Sequence, residues 1–134
     1  MGKSILQIKK DDQVFAIVLR REFARPGVHF FTPGEFSQQL GMLIHSKGKV
    51  IDRHRHKHVR REIHRTQEVL VVLEGRIEIE IYTEDGHLLK TLRLKAGDTV
   101  LLAAGGHKVK VLEEAKIIEV KQGPYAGYVD KEYF

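Results

Sequence analysis

The sequence predicts an all-β, single-domain protein built as an antiparallel sandwich or barrel. Three observations carry that prediction. Period-two alternation of apolar residues dominates, helical periodicity is scarce, and turn signals recur at short intervals. The length of 134 residues is that of one ordinary domain. Folding a chain of this size buries roughly two thirds of the surface its unfolded form exposes, so a core forms without staples. Apolar residues at 42% and charged residues at 31% fit a globular protein.

Each element follows from its local pattern. Val14–Leu19, His29–Thr32, Gln38–His45 and Lys49–Lys57 read as strands, separated by turn signals at Pro26-Gly27, Pro33-Gly34 and Gly48. Thr66–Leu73 is a further strand, closed by Gly75. Arg76–Tyr82 alternates without a break and puts Ile77, Ile79 and Ile81 on one face. Asp85-Gly86 then signals a hairpin, and Leu88–Leu94 is its partner strand. After a turn at Lys95-Ala-Gly-Asp98 come strands at Thr99–Ala103, Lys108–Leu112 and Lys116–Lys121, with Gly105-Gly106 between the first two. The tail from Gln122 to Phe134 is irregular, and its Tyr and Phe residues are expected to pack back on the domain or on a partner subunit.

Several classes of protein are excluded. With no cysteine, the chain has no disulfides, zinc ribbons, iron–sulfur clusters or thiol catalysis. The longest apolar runs, such as Val69–Leu73, fall far short of a membrane span. The N-terminal stretch carries no apolar signal region, which predicts a cytoplasmic protein. Asparagine and tryptophan are absent while Lys, Arg and Glu abound, which is the pattern of a thermophile.

The net charge of +5 is concentrated in one place. Residues 53–65, RHRHKHVRREIHR, hold six Lys or Arg and one Glu, whereas the rest of the chain has 17 basic and 17 acidic residues. Such a run is often only a solvated face. It also suits an electrostatic funnel for an anionic ligand such as a phosphate, carboxylate or sugar nucleotide. Binding of nucleic acid is a weaker reading, because no aromatic RNA-binding motif, helix-turn-helix pattern or zinc finger accompanies the run.

Four of the eight histidines fall in the same window. In an extended strand Val50, Asp52, His54, His56 and His58 share one face, and Ile51, Arg53, Arg55 and Lys57 the other. The imidazoles are thereby segregated from the cations, and two of them at i and i+2 can chelate one metal ion given ligands from neighbouring strands. Glu68 lies in phase with the apolar Leu70 and Val72, where a lone carboxylate needs a partner. His107 lies in phase with Val109 and Val111. His54, His56, Glu68 and His107 are the candidate ligands of one divalent metal ion, and the ligand chemistry suits Fe, Mn, Ni or Zn.

The spacing of these residues resembles the cupin superfamily, in particular its small stand-alone single-domain members of unassigned function. Gly48, five residues, then His54-x-His56 resembles the opening of the first cupin motif, and Glu68, six residues, then Gly75 resembles its close. Gly97, five residues, then Ala103-x-Gly105 and His107 echo the second motif. The resemblance implies a double-stranded β-helix, the jelly-roll barrel of cupins, with the same four ligands around one metal. It places a single domain over residues 1–134, with a core at about 38–121, N-terminal strands at 13–32 and a tail at 122–134. Eleven residues separate His56 from Glu68 where cupins have three or four. This insertion carries His58, Glu62 and His64 as possible substitute ligands, and Glu62-x-His64-x3-Glu68 restores the short spacing. In the second motif Ala103 replaces the proline and Val111 the asparagine. The closing Val120-Lys-Gln-Gly-Pro-Tyr125 also looks like small cupins linked to surface-polysaccharide pathways.

The functional expectation is a metal-dependent enzyme acting on a small anionic or carbohydrate-derived substrate, of isomerase, epimerase or dioxygenase type. The ion would hold the reacting oxygen while Arg60, Arg61 or Arg65 clamps the anion. Glu62, His64 and Tyr82 are candidate general bases. The competing expectation is a binding module or sensor without turnover, since the fold hosts both. A homodimer is expected from exposed edge strands and the aromatic tail, and it is usual among cupins.

Overall fold

The computed structural model describes residues 3–134; Met1 and Gly2, where the expected domain begins, lie outside the described residues. Eight strands follow one another: β1 (Ile5–Lys10), β2 (Gln13–Leu19), β3 (Gly27–Phe30), β4 (Gly41–Ile44), β5 (Glu68–Tyr82), β6 (Leu88–Lys95), β7 (Thr99–Leu102) and β8 (Gly106–Lys121). The only helix among the described residues is a single 3-10 turn at Gly127–Asp130, so no helix there is long and apolar enough to cross a membrane. The all-β expectation is borne out.

Six strands form one antiparallel sheet in the order β1-β2-β7-β5-β6, with β8 on the opposite edge of β5; β3 and β4 form a separate hairpin. β5 organises the molecule. Its first residues pair with β7 and its last with β6, while β8 runs beside it from Glu68↔Lys121 to Tyr82↔Gly106. Register shifts between Val72 and Ile77 bend the β5–β8 ribbon, and the sheet curls into a half-barrel.

The curl follows from which residues are apolar. The larger core cluster joins Ile8, Ala16, Val18, Leu70, Val72, Val100 and Leu102 from one part of the sheet to Ile77, Ile79, Ile81, Leu92 and Leu94 from the other. These faces therefore look at each other across the inside of the curl. Burying each Ile of the alternating run contributes roughly 1.5–3 kcal/mol. The intervening residues Ile17, Leu19, Leu101 and Val69 point the other way, where Phe31, Phe36, Leu40 and Met42 cover them. Burial on both faces explains the unbroken apolar runs of β2 and β7, which alternation alone does not predict.

Two turns pin this arrangement. Asp11 and Asp12 both take positive φ in the β1–β2 hairpin, the conformation of a two-residue type I′ turn. Asp98 is fully buried between β6 and β7, where it accepts hydrogen bonds from the Arg21 and Lys95 backbone N–H groups and from the Arg20 guanidinium, at 2.9, 3.0 and 3.1 Å. The C-terminal tail touches the domain at Phe134, whose ring is set edge-on to Tyr82 at 5.3 Å, but Tyr125, Tyr133 and most of Phe134 stay exposed rather than packed back.

Several expected elements differ. Thr66–Leu73 and Arg76–Tyr82 are one strand, because Gly75 adopts φ +81° and lets β5 bend without ending. Lys108–Leu112 and Lys116–Lys121 merge likewise into β8. β1 was hidden by its polar end, Lys9-Lys10. Lys49–Lys57 forms no strand; residues 45–67 have no regular structure, and 45–66 are exposed throughout. The eight Lys and Arg side chains of residues 45–67 repel one another, and the stretch has no alternating apolar face to bury.

Candidate functional site

Directly opposed residues of an antiparallel pair share a face, so the register fixes what lines the inside of the curl. At one end Ile77, Ile79 and Ile81 face Val111, Val109 and His107. At the other, Val72, Leu70 and Glu68 face Ile117, Glu119 and Lys121. On a flat strand His107 and Glu119 would lie roughly 40 Å apart. The curl brings them into one electrostatic neighbourhood, because Glu119, Lys121 and Lys131 act on both Glu68 and His107. An ion pair closes the same turn of the ribbon: Arg65 Nη1 donates to Glu84 Oε1 at 2.7 Å, and Glu84 also accepts from the Gly105 N–H. These donors hold the Glu84 carboxyl below the usual carboxylate range.

The electrostatics of the cluster are unusual for groups this close to solvent. Loss of hydration raises the Glu68 carboxyl above its ordinary value, and the adjacent Glu119 carboxylate, within hydrogen-bonding reach, raises it further; Lys121 and Lys131 oppose this. Lys121 is raised in turn by Glu68 and Glu119, and its Nζ lies 3.6 Å from Glu119. His107 is an exposed residue, yet desolvation of its ring holds the imidazole below its ordinary value against the pull of Glu119. A carboxyl shifted toward its protonated form and an imidazole shifted toward its neutral form thus face the same concave side. Such opposed shifts are what acid–base chemistry requires.

The predicted metal set does not assemble. Among the described residues no group of three His, Cys, Asp or Glu side chains converges to hold an ion, so the expected divalent Fe, Mn, Ni or Zn is not supported. The physical cause is the missing strand at 49–57. His54 and His56 sit edge-to-face at 5.4 Å on exposed chain, and His54 Nδ1 is bonded to the Asp52 carbonyl at 2.8 Å. Of the four candidates, Glu68 and His107 alone reach the inside of the curl, where Lys121 and Lys131 add positive charge. The substitutes fare no better: His58 is exposed, and Glu62 lies 3.7 Å from His64 with no third ligand.

The other candidates are placed as follows. Arg60 and Arg61 are exposed on the same segment, while Arg65 is engaged by Glu84. Tyr82 shares a side with Glu80, to which its hydroxyl donates at 2.7 Å; that bond keeps the phenol protonated and points it away from Ile81. A cleft of about 590 Å³ beside Asp98 is lined by Lys3, Arg20, Arg76, Arg93 and Lys95. The last four pair with Asp98, Glu113, Glu78 and Glu22, so little of that charge is available to a ligand.

Sequence reasoning missed Glu119, Lys121 and Lys131. The signal for the first two was present, since Glu119 and Lys121 continue the phase of Ile117 just as Glu68 continues that of Leu70. Gln67 was also missed. Buried at 3% exposure, its side-chain oxygen accepts from the Gln38 N–H at 3.0 Å and its backbone carbonyl from the Gln122 N–H at 2.9 Å, which anchors the start of β5. Comparison with protein-family models, with curated proteins and with solved structures gives no match.

Proposed function

We propose that the protein binds a small anionic, carbohydrate-derived molecule on the inside of the curl and moves a proton on it, as an isomerase or epimerase does. The observation that supports this reading is the contact of Glu68 with Glu119 on the concave face, with His107 within the electrostatic reach of Glu119 and Lys121. His107, shifted toward its neutral form, takes a proton from the carbon next to a carbonyl, and Glu68, shifted toward its protonated form, donates to the intermediate. Glu119 favours the protonated form of Glu68, and Lys121 and Lys131 hold the anionic group. The same reading takes the half-barrel as part of a cupin-like double-stranded β-helix, with the stretch preceding β5 supplying the rest.

The test is solvent deuterium incorporation in D2O across a panel of keto-sugar phosphates and sugar acids, followed by proton NMR. Exchange at one carbon is expected, slowed about 100-fold or more by Glu68→Gln or His107→Gln. Exchange that both variants leave unchanged would refute the assignment. Saturable binding without exchange would make the chain a binding module.

A further inference from the structure

We infer that residues 45–61 of one chain lie along the free edge of β8 in a second copy, so that two half-barrels close each other by reciprocal strand exchange. Two bare surfaces on the same chain carry the argument. β8 presents a sixteen-residue edge whose N–H and C=O groups have no strand partner on the side away from β5. On its inner face Val109 and Val111 continue the core but remain 38% and 55% exposed. The exposed segment has the complementary needs. Its backbone is in no ladder, and Val50, Ile51 and Val59 are 71%, 59% and 59% exposed. Left uncovered, either surface is an aggregation hazard.

Length favours the match. Glu62–Arg65 stay with their own chain, lining a cleft beside Asp12 and Phe36 and tied to Glu84, which leaves 45–61 to span an edge of sixteen residues. In an extended strand one face of the segment carries His54, His56 and His58 and the other Arg53, Arg55 and Lys57. A two-fold exchange satisfies both edges of both copies at once. It also makes the concave face incomplete in a single chain, so the partner supplies one wall of the site. The inference stands whether or not the site turns over a substrate.

The absence of native cysteine makes the test clean. Ile51→Cys and Val59→Cys are prepared separately from Val109→Cys and Val111→Cys, co-refolded in pairs from urea and oxidised, and the disulfide-linked peptides are identified by mass spectrometry. Light scattering of the unmodified protein accompanies this. The expected result is a particle of about twice 15.4 kDa and a disulfide joining segment to β8 between two chains in at least one pair. A monomer at 100 µM on the order of typical assay concentrations would overturn the inference. So would a dimer giving no segment–β8 disulfide in any pair, or a double variant, Val59→Cys with Val111→Cys, that cross-links only within one chain.

Discussion

Asp98 illustrates what a buried charge requires. Its two carboxylate oxygens accept from three N–H donors on two segments, and every buried side-chain N or O among the described residues has a partner. Asp98→Asn turns an NH2 group toward one of those donors and leaves the Arg20 charge without its counterion. The expected loss is about 2–4 kcal/mol, read from the urea midpoint; a loss under about 0.5 kcal/mol would remove Asp98 from this role. Glu68 and His107 give opposite pH signatures. The raised Glu68 pKa means that the native state holds its proton more tightly than the unfolded chain does. That contribution to stability is complete below the unfolded value and is lost as pH rises through the folded one. Glu68→Gln, which cannot ionise, should therefore gain on the parent in urea midpoint as pH rises above 4.5. His107 is lowered from 6.5, so its contribution is complete above that value and is lost as pH falls through the lower folded one; its imidazole proton resonances should titrate with a midpoint below 6.5. A midpoint at or above 6.5 would contradict the desolvation described here. The sequence exposed the logic of Glu68, an acid in apolar phase. It did not show that Glu119 and His107 come within electrostatic reach of each other, because that depends on a curl spanning the whole of β8.

At the scale of the element, the decisive feature is the bend in β5. Alternation at Ile77, Ile79 and Ile81 identified the second half of the strand and its hairpin partner, and the Asp85-Gly86 turn forms with Gly86 at φ +88°. Gly75 was legible as a backbone interruption but not as a bend within a continuous strand, since both outcomes use the same glycine. Its φ of +81° is one that L side chains rarely adopt, and a Cβ there would collide with the Glu114 carbonyl of β8. Gly75→Ala should cost about 2 kcal/mol or more, combining the left-handed penalty with the collision. Gly48→Ala is the control: φ there is +90°, but a Cβ would meet open space, so about 1–2 kcal/mol is expected. Thermal midpoints of the two variants separate the contributions. Equal losses would mean that the β5–β8 approach at the bend is not tight. The reverse failure of pattern reading occurred at Lys49–Lys57, where alternation of His with Arg or Lys is as regular as in β5 but has no apolar face to bury. Period two without burial does not fix a strand.

The whole molecule divides into a core that the sequence makes self-sufficient and a charged segment that contributes nothing to it. No residue between 45 and 66 belongs to either core cluster, and the net charge of +5 resides almost entirely there. Folding of the half-barrel should therefore be indifferent to the segment, whereas association and ligand capture should depend on it. Replacing residues 49–61 with a Gly/Ser linker of equal length tests that division. The loop-closure entropy stays nearly the same, so the far-UV circular dichroism of the β-sheet and the urea m-value should be retained in dilute solution. The mutual repulsion of the basic side chains is removed, which works in favour of the folded state. Dimeric mass, by contrast, should be lost, and the salt dependence of anion binding should flatten as the basic side chains disappear. A shortened m-value or a vanished sheet signal would mean that the segment is part of the fold. Retained dimerisation would place the contact between copies elsewhere on the sheet.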